Sequence, residues 1–148
     1  MPHRVLNFSS FQQIREELDR LCSRGYEQHG DWDLSQTCDH LAYFIEGSLD
    51  GHRFKTPWLI KTLFGRFVLR RILSQGRMPD RVPSPQKPPP APGDETAAVK
   101  RLRTVLDRFE HHTGEFHDSP FFGHLTPDEW RQLHSIHCAH HLGWLSPR

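Results

Sequence analysis

The sequence predicts an all-α protein, a single helical-bundle domain over residues 1–148 with one long proline-rich crossover. Two observations lead to this prediction. Five segments place apolar residues three or four positions apart, which is the periodicity of a helix that buries one face. No segment shows the alternation of apolar and polar residues that is typical of a half-buried strand. A chain of 148 residues also has room for only one modest core.

The first two helices begin at capping signals. A serine pair at residues 9–10 precedes an amphipathic segment that is expected to be helical over residues 9–24. A glycine directly after this segment is placed to end the helix. Asp33 or Ser35 then caps a second helix, expected over Leu34–Leu49, whose apolar positions suit a buried stripe.

A third, basic helix is expected from Pro57, which suits the first helical position, to about Leu73. Between Gly51 and Arg77 the chain carries seven basic residues and no acid, among many apolar residues. Such a helix lies on a membrane surface, with one apolar and one cationic face, or packs on the rest of the domain. Because a chain this short needs the apolar residues in its core, packing on the domain is the favoured interpretation.

The second half of the chain contains a crossover and two further helices. Residues 79–92 hold seven of the 12 prolines and are expected to be extended. A fourth helix is expected over residues 93–112, with negative charge at its first turn. The last helix opens with a capping box in which Thr126 is the N-cap and Glu129 the third residue, and it should continue to about Trp144.

Composition narrows the class of protein. The 19 Lys and Arg residues nearly balance the 18 Asp and Glu residues, which argues against a dedicated nucleic-acid binder. No apolar run approaches the roughly 18 residues of a membrane span, so no integral membrane segment is expected. The beginning of the sequence lacks the apolar stretch of a signal peptide, and three widely spaced cysteines do not make a disulfide framework. A cytoplasmic location is therefore expected.

Histidine is unusually frequent, with 12 residues in the chain. On the last helix, His134, His137 and His141 fall within about 60° of one another, whereas His140 lies roughly 100° away. His137 and His141 are one turn apart, so their imidazole nitrogens can converge on one transition-metal ion such as zinc. A third ligand must come from a facing helix, and His40 is the natural candidate. Three protein ligands would leave one position open for water or substrate.

The histidine spacing alone leaves an alternative open, namely polar side chains that line a partly wet bundle interior. Two cysteines lie close in sequence to the candidate ligands. Cys38 and Cys138 are offset from His40 and His137 by about 200° and 100° around their helices, which turns both thiols away from the metal. They are expected to be buried and inert.

Two phrases resemble the DinB/YfiT-like superfamily of four-helix metalloproteins. WDLSQTCDHL, at residues 32–41, is similar to the superfamily element Trp-x-x-x-Gln-x-x-x-His-Leu. HCAHH, at residues 137–141, is similar to its His-x-x-His-His signature on the last helix. The stretches HLAYFIEGSLDG and HHTGEFHDSPFFGHLTPDEW resemble an uncharacterised branch, a domain of unknown function. The resemblance implies a DinB/YfiT-like four-helix bundle with the basic helix and the proline-rich crossover inserted.

The resemblance also implies a metal site and its ligands. The metal would be a divalent transition ion, usually zinc or nickel, and its three ligands would be His40, His137 and His141. Gln36 and His134, each one turn before a ligand, would lie beside the metal and orient ligands or touch substrate. Characterised relatives include low-molecular-weight thiol S-transferases and metal-dependent hydrolases, and they are often dimers. A homodimer is therefore a possible assembly.

We expect a metal-dependent thiol S-transferase that acts on a small electrophile, with a small-molecule thiol as its partner. An open metal site lowers the pKa of a bound thiol or water. No Glu adjoins the ligands as in His-Glu-x-x-His hydrolases, and Glu46 points to another side of its helix. The alternatives are a metal-dependent hydrolase and a non-catalytic metal- or ligand-binding stress protein. A third hypothesis, from a different class, is a membrane-peripheral or nucleic-acid-binding module on residues 53–77.

Overall fold

The computed structural model describes residues 3–57, 60–79 and 89–148. This part of the chain is mostly helical, as the sequence predicts, and its five α-helices are α1 (Phe11–Arg24), α2 (Leu34–Asp50), α3 (Arg66–Gln75), α4 (Glu95–His111) and α5 (Pro127–Leu142). A π-helical stretch, Ile60–Gly65, leads directly into α3. None of the described helices is long and apolar enough to span a membrane.

Capping side chains begin the helices where the sequence predicts them. The Ser10 hydroxyl accepts a hydrogen bond from the backbone N–H of Gln13 at the start of α1. Asp33 begins α2 and Thr126 begins α5, each in a capping box closed by the side chain three residues later. The observed bounds of α1, α2, α4 and α5 lie within two residues of the expected ones.

The core lies mainly between α2 and α4, which form the most extensive helix pair. Leu41 and Ile45 from α2 are buried against Leu102 and Leu106 from α4. Phe109, near the end of α4, packs against an aromatic side chain of α1. The helical spacing of apolar residues in α4 thus buries one face of this helix, and α2 and α5 contact each other beside this core.

The sequence predicts no strand, and this prediction is wrong. The structure contains β1 (Tyr26–Gln28) and β2 (Leu145–Pro147), which pair antiparallel with Tyr26 opposite Pro147. The backbone N–H of Arg148 also donates to the carbonyl of Gly25. Strands of three residues are too short for an alternating pattern to be recognised. They connect the end of α1 to the end of α5.

The basic helix differs from the expectation in its bounds and in its packing. In the described part of the chain its helical residues run from Ile60 to Gln75, whereas the expected helix runs from Pro57 to about Leu73. Residues 58–59 lie outside the described part. Leu69 and Ile72 are buried, as expected of a helix that packs on the domain. Three other large apolar side chains are largely exposed, which corrects the expectation that they enter the core: Leu63, Phe64 and Phe67. A helix that contacts the domain on one side buries only that side.

Most of the expected crossover, residues 80–88, lies outside the described residues.

The segment before α1 is held against the end of α5. The backbone N–H of Arg4 donates to the carbonyl of Gly143 at 2.9 Å, and its guanidinium pairs with Glu17 of α1. Glu17 is only 1% exposed and also accepts a hydrogen bond from Arg20. The charge of this buried carboxylate is therefore balanced by two arginines, as buried charges require.

Gly143→Ala is expected to lower the free energy of unfolding by about 1–3 kcal/mol. A Cβ at this position would lie 2.5 Å from the carbonyl oxygen of Arg4, so the N-terminal segment must move away from α5. Urea denaturation measures the change. Gly93→Ala is the matched control, because the nearest atom to its added Cβ is 4.0 Å away. Equal stability of the two variants would contradict the close approach.

Candidate metal centre

Three histidines from two helices meet at one end of the α2–α5 contact. His40 lies on α2, and His137 and His141 lie one turn apart on α5. Each offers one ring nitrogen to a group whose atoms all lie within 4.8 Å of one another. The Nε2 atoms of His40 and His137 are 3.2 Å apart. The structure thus brings together the three histidines that the sequence singles out, and they could bind a metal ion.

Local sequence positions these side chains. The capping boxes begin α2 at Asp33 and α5 at Thr126, which sets where each turn of the two helices falls. His40 then lies two turns into α2 and is buried. His137 and His141 are partly buried on the facing side of α5. Residues four apart project from the same side of a helix, so both imidazoles of α5 face the imidazole of α2.

The chemistry of this set of ligands fits a divalent transition metal. Two imidazole nitrogens bound to one tetrahedral zinc ion, each at about 2.0–2.1 Å, lie roughly 3.3 Å apart, close to the spacing of His40 and His137. Burial lowers the pKa of His137 and His141 well below the usual histidine value, and the neighbouring imidazoles lower it further. Both rings are therefore neutral at neutral pH, and neutral imidazole is the form that binds metals.

Two aromatic side chains pack against the three histidines. The Trp32 ring is stacked on His141 at 5.5 Å between centroids and lies 4.7 Å from His40. The Phe44 ring contacts His40 at 5.0 Å and His137 at 5.3 Å. These contacts hold the imidazoles in place and make the surroundings apolar. The sequence alone does not predict the contacts of these two aromatic side chains with the histidines.

The Gln36 side chain forms hydrogen bonds at the beginning of α2. Its side-chain oxygen accepts a hydrogen bond from the backbone N–H of Asp33, and its side-chain nitrogen donates to the carbonyl of Pro90. It therefore closes the helix cap and fastens the end of the crossover to α2. Both polar atoms of its amide are thus paired with the backbone, and its expected role beside the metal stays a prediction.

The His134 side chain is buried in the core, where it has its own partners. It is 2% exposed, and its Nε2 lies 2.9 Å from the Ser48 hydroxyl. Its ring is stacked on Trp130 and meets Phe109 edge-on. Burial lowers the pKa of His134 to about 3, so the ring is neutral. It is not part of the group of three, and its expected role as a neighbour of the metal stays a prediction.

His140 and the two cysteines lie outside the cluster, as their helical offsets predict. The His140 ring is 4.9 Å from that of His141, but it contributes no atom to the group of three. Cys38 and Cys138 are fully buried, which confirms the expectation of buried thiols. Burial raises the pKa of both thiols, that of Cys138 to about 12. They are therefore protonated and inert at neutral pH.

The acids of α2 that flank His40 are both paired with one arginine of α4. Arg101 contacts Asp39 at 3.1 Å and Glu46 at 2.7 Å. Glu46 thus faces α4, in agreement with the expectation that it points away from the metal. The carboxylates nearest in sequence to His40 are therefore engaged elsewhere.

Comparison with known proteins identifies a family. The model of a family described as "Protein of unknown function (DUF1569)" matches residues 1–148. No curated protein and no solved structure matches the chain. The match includes both segments that carry the three histidines.

Proposed function

The chain belongs to the DUF1569 family of proteins of unknown function, and we propose that it binds one divalent transition metal, zinc or nickel, through His40, His137 and His141. The observation that supports this proposal is the convergence of the three imidazoles, whose ligand atoms lie within 4.8 Å of one another. Imidazole is a ligand that both zinc and nickel accept, and the apolar side chains of Trp32 and Phe44 favour the neutral form of the imidazoles.

We further propose that the family belongs to the DinB/YfiT-like superfamily. The four-helix bundle would consist of α1, α2, α4 and α5, with the π-helical stretch and α3 as the insertion. The order of the two histidine elements along the chain supports this assignment, as does their meeting between the second and the last of these helices.

The reaction that we propose is transfer of a small-molecule thiol to a small electrophile. A divalent cation held by three imidazoles lowers the pKa of a thiol or water that binds it. The chain's own residues favour the thiol, because Asp39 and Glu46 are paired with Arg101 and do not serve as a general base for water. The rings of Trp32 and Phe44, which contact the histidines, offer apolar surface to the electrophile.

The test is metal content per chain in protein purified without nickel resin. Wild type is expected to retain about one transition-metal ion per chain, since three histidine ligands make a specific site. His40→Ala and His141→Ala are expected to lose the ion. His140→Ala is the matched control on the same helix and should retain it. A wild type that stays metal-free after incubation with zinc or nickel would contradict the proposal, as would equal loss in His140→Ala.

The same preparations distinguish thiol transfer from its alternatives. The loaded protein should consume a small thiol together with an electrophile, and His137→Ala should not. Full metal occupancy without thiol binding at millimolar concentration would overturn thiol transfer and leave the metal site intact. Hydrolysis without thiol consumption would indicate a metal-dependent hydrolase instead. Occupancy without turnover of any kind would indicate a metal- or ligand-binding stress protein.

A further inference from the structure

The outward face of the basic helix is apolar where the chain approaches and enters α3. Leu63, Phe64 and Phe67 are 74%, 66% and 64% exposed, and we refer to these three residues as the α3 patch. Among the side chains whose burial the structure describes, the other large apolar one with comparable exposure is Val5. Single exposed apolar residues are common on protein surfaces, but three clustered on one helix mark an interaction site.

The α3 patch is not a part of the core that failed to pack. The opposite side of the helix carries Leu69 and Ile72, which are fully buried and attach α3 to the domain. Arg66 also holds the helix in place, because its guanidinium donates to the carbonyl of His124 at 2.5 Å. The helix therefore already buries its inner side, and the patch faces solvent on a fixed support.

Unpaired positive charge continues the same exposed surface. Arg70 and Arg71 lie one turn beyond Phe67 and are exposed. Within the part of the chain that the structure describes, neither forms an ion pair, whereas Arg15, Arg101, Arg103 and Arg108 all do. No acidic residue occurs between Gly51 and Arg77 to pair with them locally. Arg70 and Arg71 therefore leave positive charge on the exposed surface beside the α3 patch, without an acid on the described residues paired to it.

We propose that the α3 patch and Arg70 and Arg71 dock the protein on the surface of an anionic phospholipid bilayer. Large apolar side chains beside arginines are what a helix needs to lie in the interface between headgroups and acyl chains. The phenylalanines enter the boundary of the acyl chains, and the guanidinium groups bind phosphate oxygens above it.

Charge and polarity favour this partner over two others. In a two-fold dimer built on the same face, the basic segments of the two copies, which contain no acid from Gly51 to Arg77, would face each other. A nucleic acid would neutralise the arginines but would leave Phe64 and Phe67 in water, since its outer surface is phosphate and sugar. Of these three partners, the bilayer surface satisfies both the charge and the exposed apolar area.

The experiment is co-sedimentation at low salt with vesicles of phosphatidylcholine and phosphatidylglycerol in equal parts, compared with phosphatidylcholine alone. Wild type is expected to bind the anionic vesicles and to be released by salt. Arg70→Gln combined with Arg71→Gln should weaken partitioning roughly thirtyfold, since each cation near an anionic surface changes it about fivefold. Phe64→Gln combined with Phe67→Gln should weaken it at least about tenfold.

Matched controls exist elsewhere on the exposed surface. Arg24→Gln combined with Lys100→Gln removes the same charge from α1 and α4, and Val5→Gln removes an exposed apolar side chain. Both should bind the vesicles like wild type, and so should His137→Ala, because the docking surface does not depend on the metal site.

Three outcomes would overturn the proposal. The first is no binding of wild type to the anionic vesicles, and the second is equal weakening by the control variants. The third is a different partner for the same face. This would appear as duplex DNA binding that needs Arg70 and Arg71 but not Phe64, or as a dimer in sedimentation equilibrium that the phenylalanine double variant dissociates while vesicles go unbound.

Discussion

Zinc is expected to raise the free energy of unfolding of the metal-free protein by about 3 kcal/mol once free metal reaches about 100 times its dissociation constant. The reason is that the ligands come from two helices that meet only in the folded chain, so the ion binds the native state alone. His40 lies on α2, and its two partners lie on α5. Urea denaturation with and without zinc measures this increment, which nickel should also produce.

Two variants show whether this stabilisation comes from the three histidines. His137→Ala should abolish the increment, whatever it does to the stability of the metal-free protein, because two imidazoles remain. His140→Ala should keep the increment, because this ring lies outside the group of three. Similar increments in both variants would show that zinc binds elsewhere on this histidine-rich chain.

Acid is expected to destabilise the metal-free protein through the buried His134. Its pKa is lowered to about 3 in the folded state by burial, whereas the unfolded chain titrates near the ordinary value of about 6.5. Between these two values the unfolded state binds the additional proton, so stability falls as the pH falls. The loss should be about 2 kcal/mol between pH 7 and pH 5. His52, whose pKa burial lowers to about 4, acts in the same direction.

The measurement is the urea midpoint as a function of pH in the presence of a chelator. His134→Gln keeps a nitrogen that can pair with the Ser48 hydroxyl but cannot take up a proton. Below the pKa of the unfolded state, this substitution should reduce the slope of the free energy of unfolding with pH by about 1.4 kcal/mol per pH unit. His111→Gln, at the exposed end of α4, is the control and should leave the slope unchanged. Parallel slopes in all three proteins would show that His134 does not carry the acid sensitivity.

Local chemistry explains why the helix bounds can be predicted from the sequence. The capping boxes at Asp33 and Thr126 are formed by residues three apart, so nothing beyond the adjacent sequence is needed to recognise them. The pairing of β1 with β2 has no such signal. Its hydrogen bonds join Tyr26 to Pro147 and depend on how α1 and α5 are arranged in space.

The outward face of α3 shows another limit of what the spacing of apolar residues can predict about burial. The apolar residues of this helix predict burial, and Leu69 and Ile72 are indeed buried. Whether a second face is also covered depends on whether another element lies above it. Phe64 and Phe67 remain exposed because the helix packs on the domain from one side only.

The candidate site could be predicted in part for similar reasons. The spacing of His137 and His141 is local and indicates two nitrogens on one side of a helix. His40 could be named as the candidate third ligand on a facing helix, and the family resemblance implies the same residue, but a partner on another helix leaves no local pattern that decides between a metal site and polar side chains in a wet interior. The contacts of Phe44 with the histidines depend on the packing of α2 against α5. Gln36 precedes His40 by one turn, yet the capping of α2 engages its amide.

The separation of the histidines along the chain has a consequence for biosynthesis. His40 and His137 are 97 residues apart, so a growing polypeptide carries one of the three imidazoles long before the other two are made. A nascent or truncated product that ends before α5 has a single ligand and cannot retain an ion with the affinity of the complete set. Retained metal would therefore mark chains that have been completed and folded, and would distinguish them in a cell extract from unfinished ones.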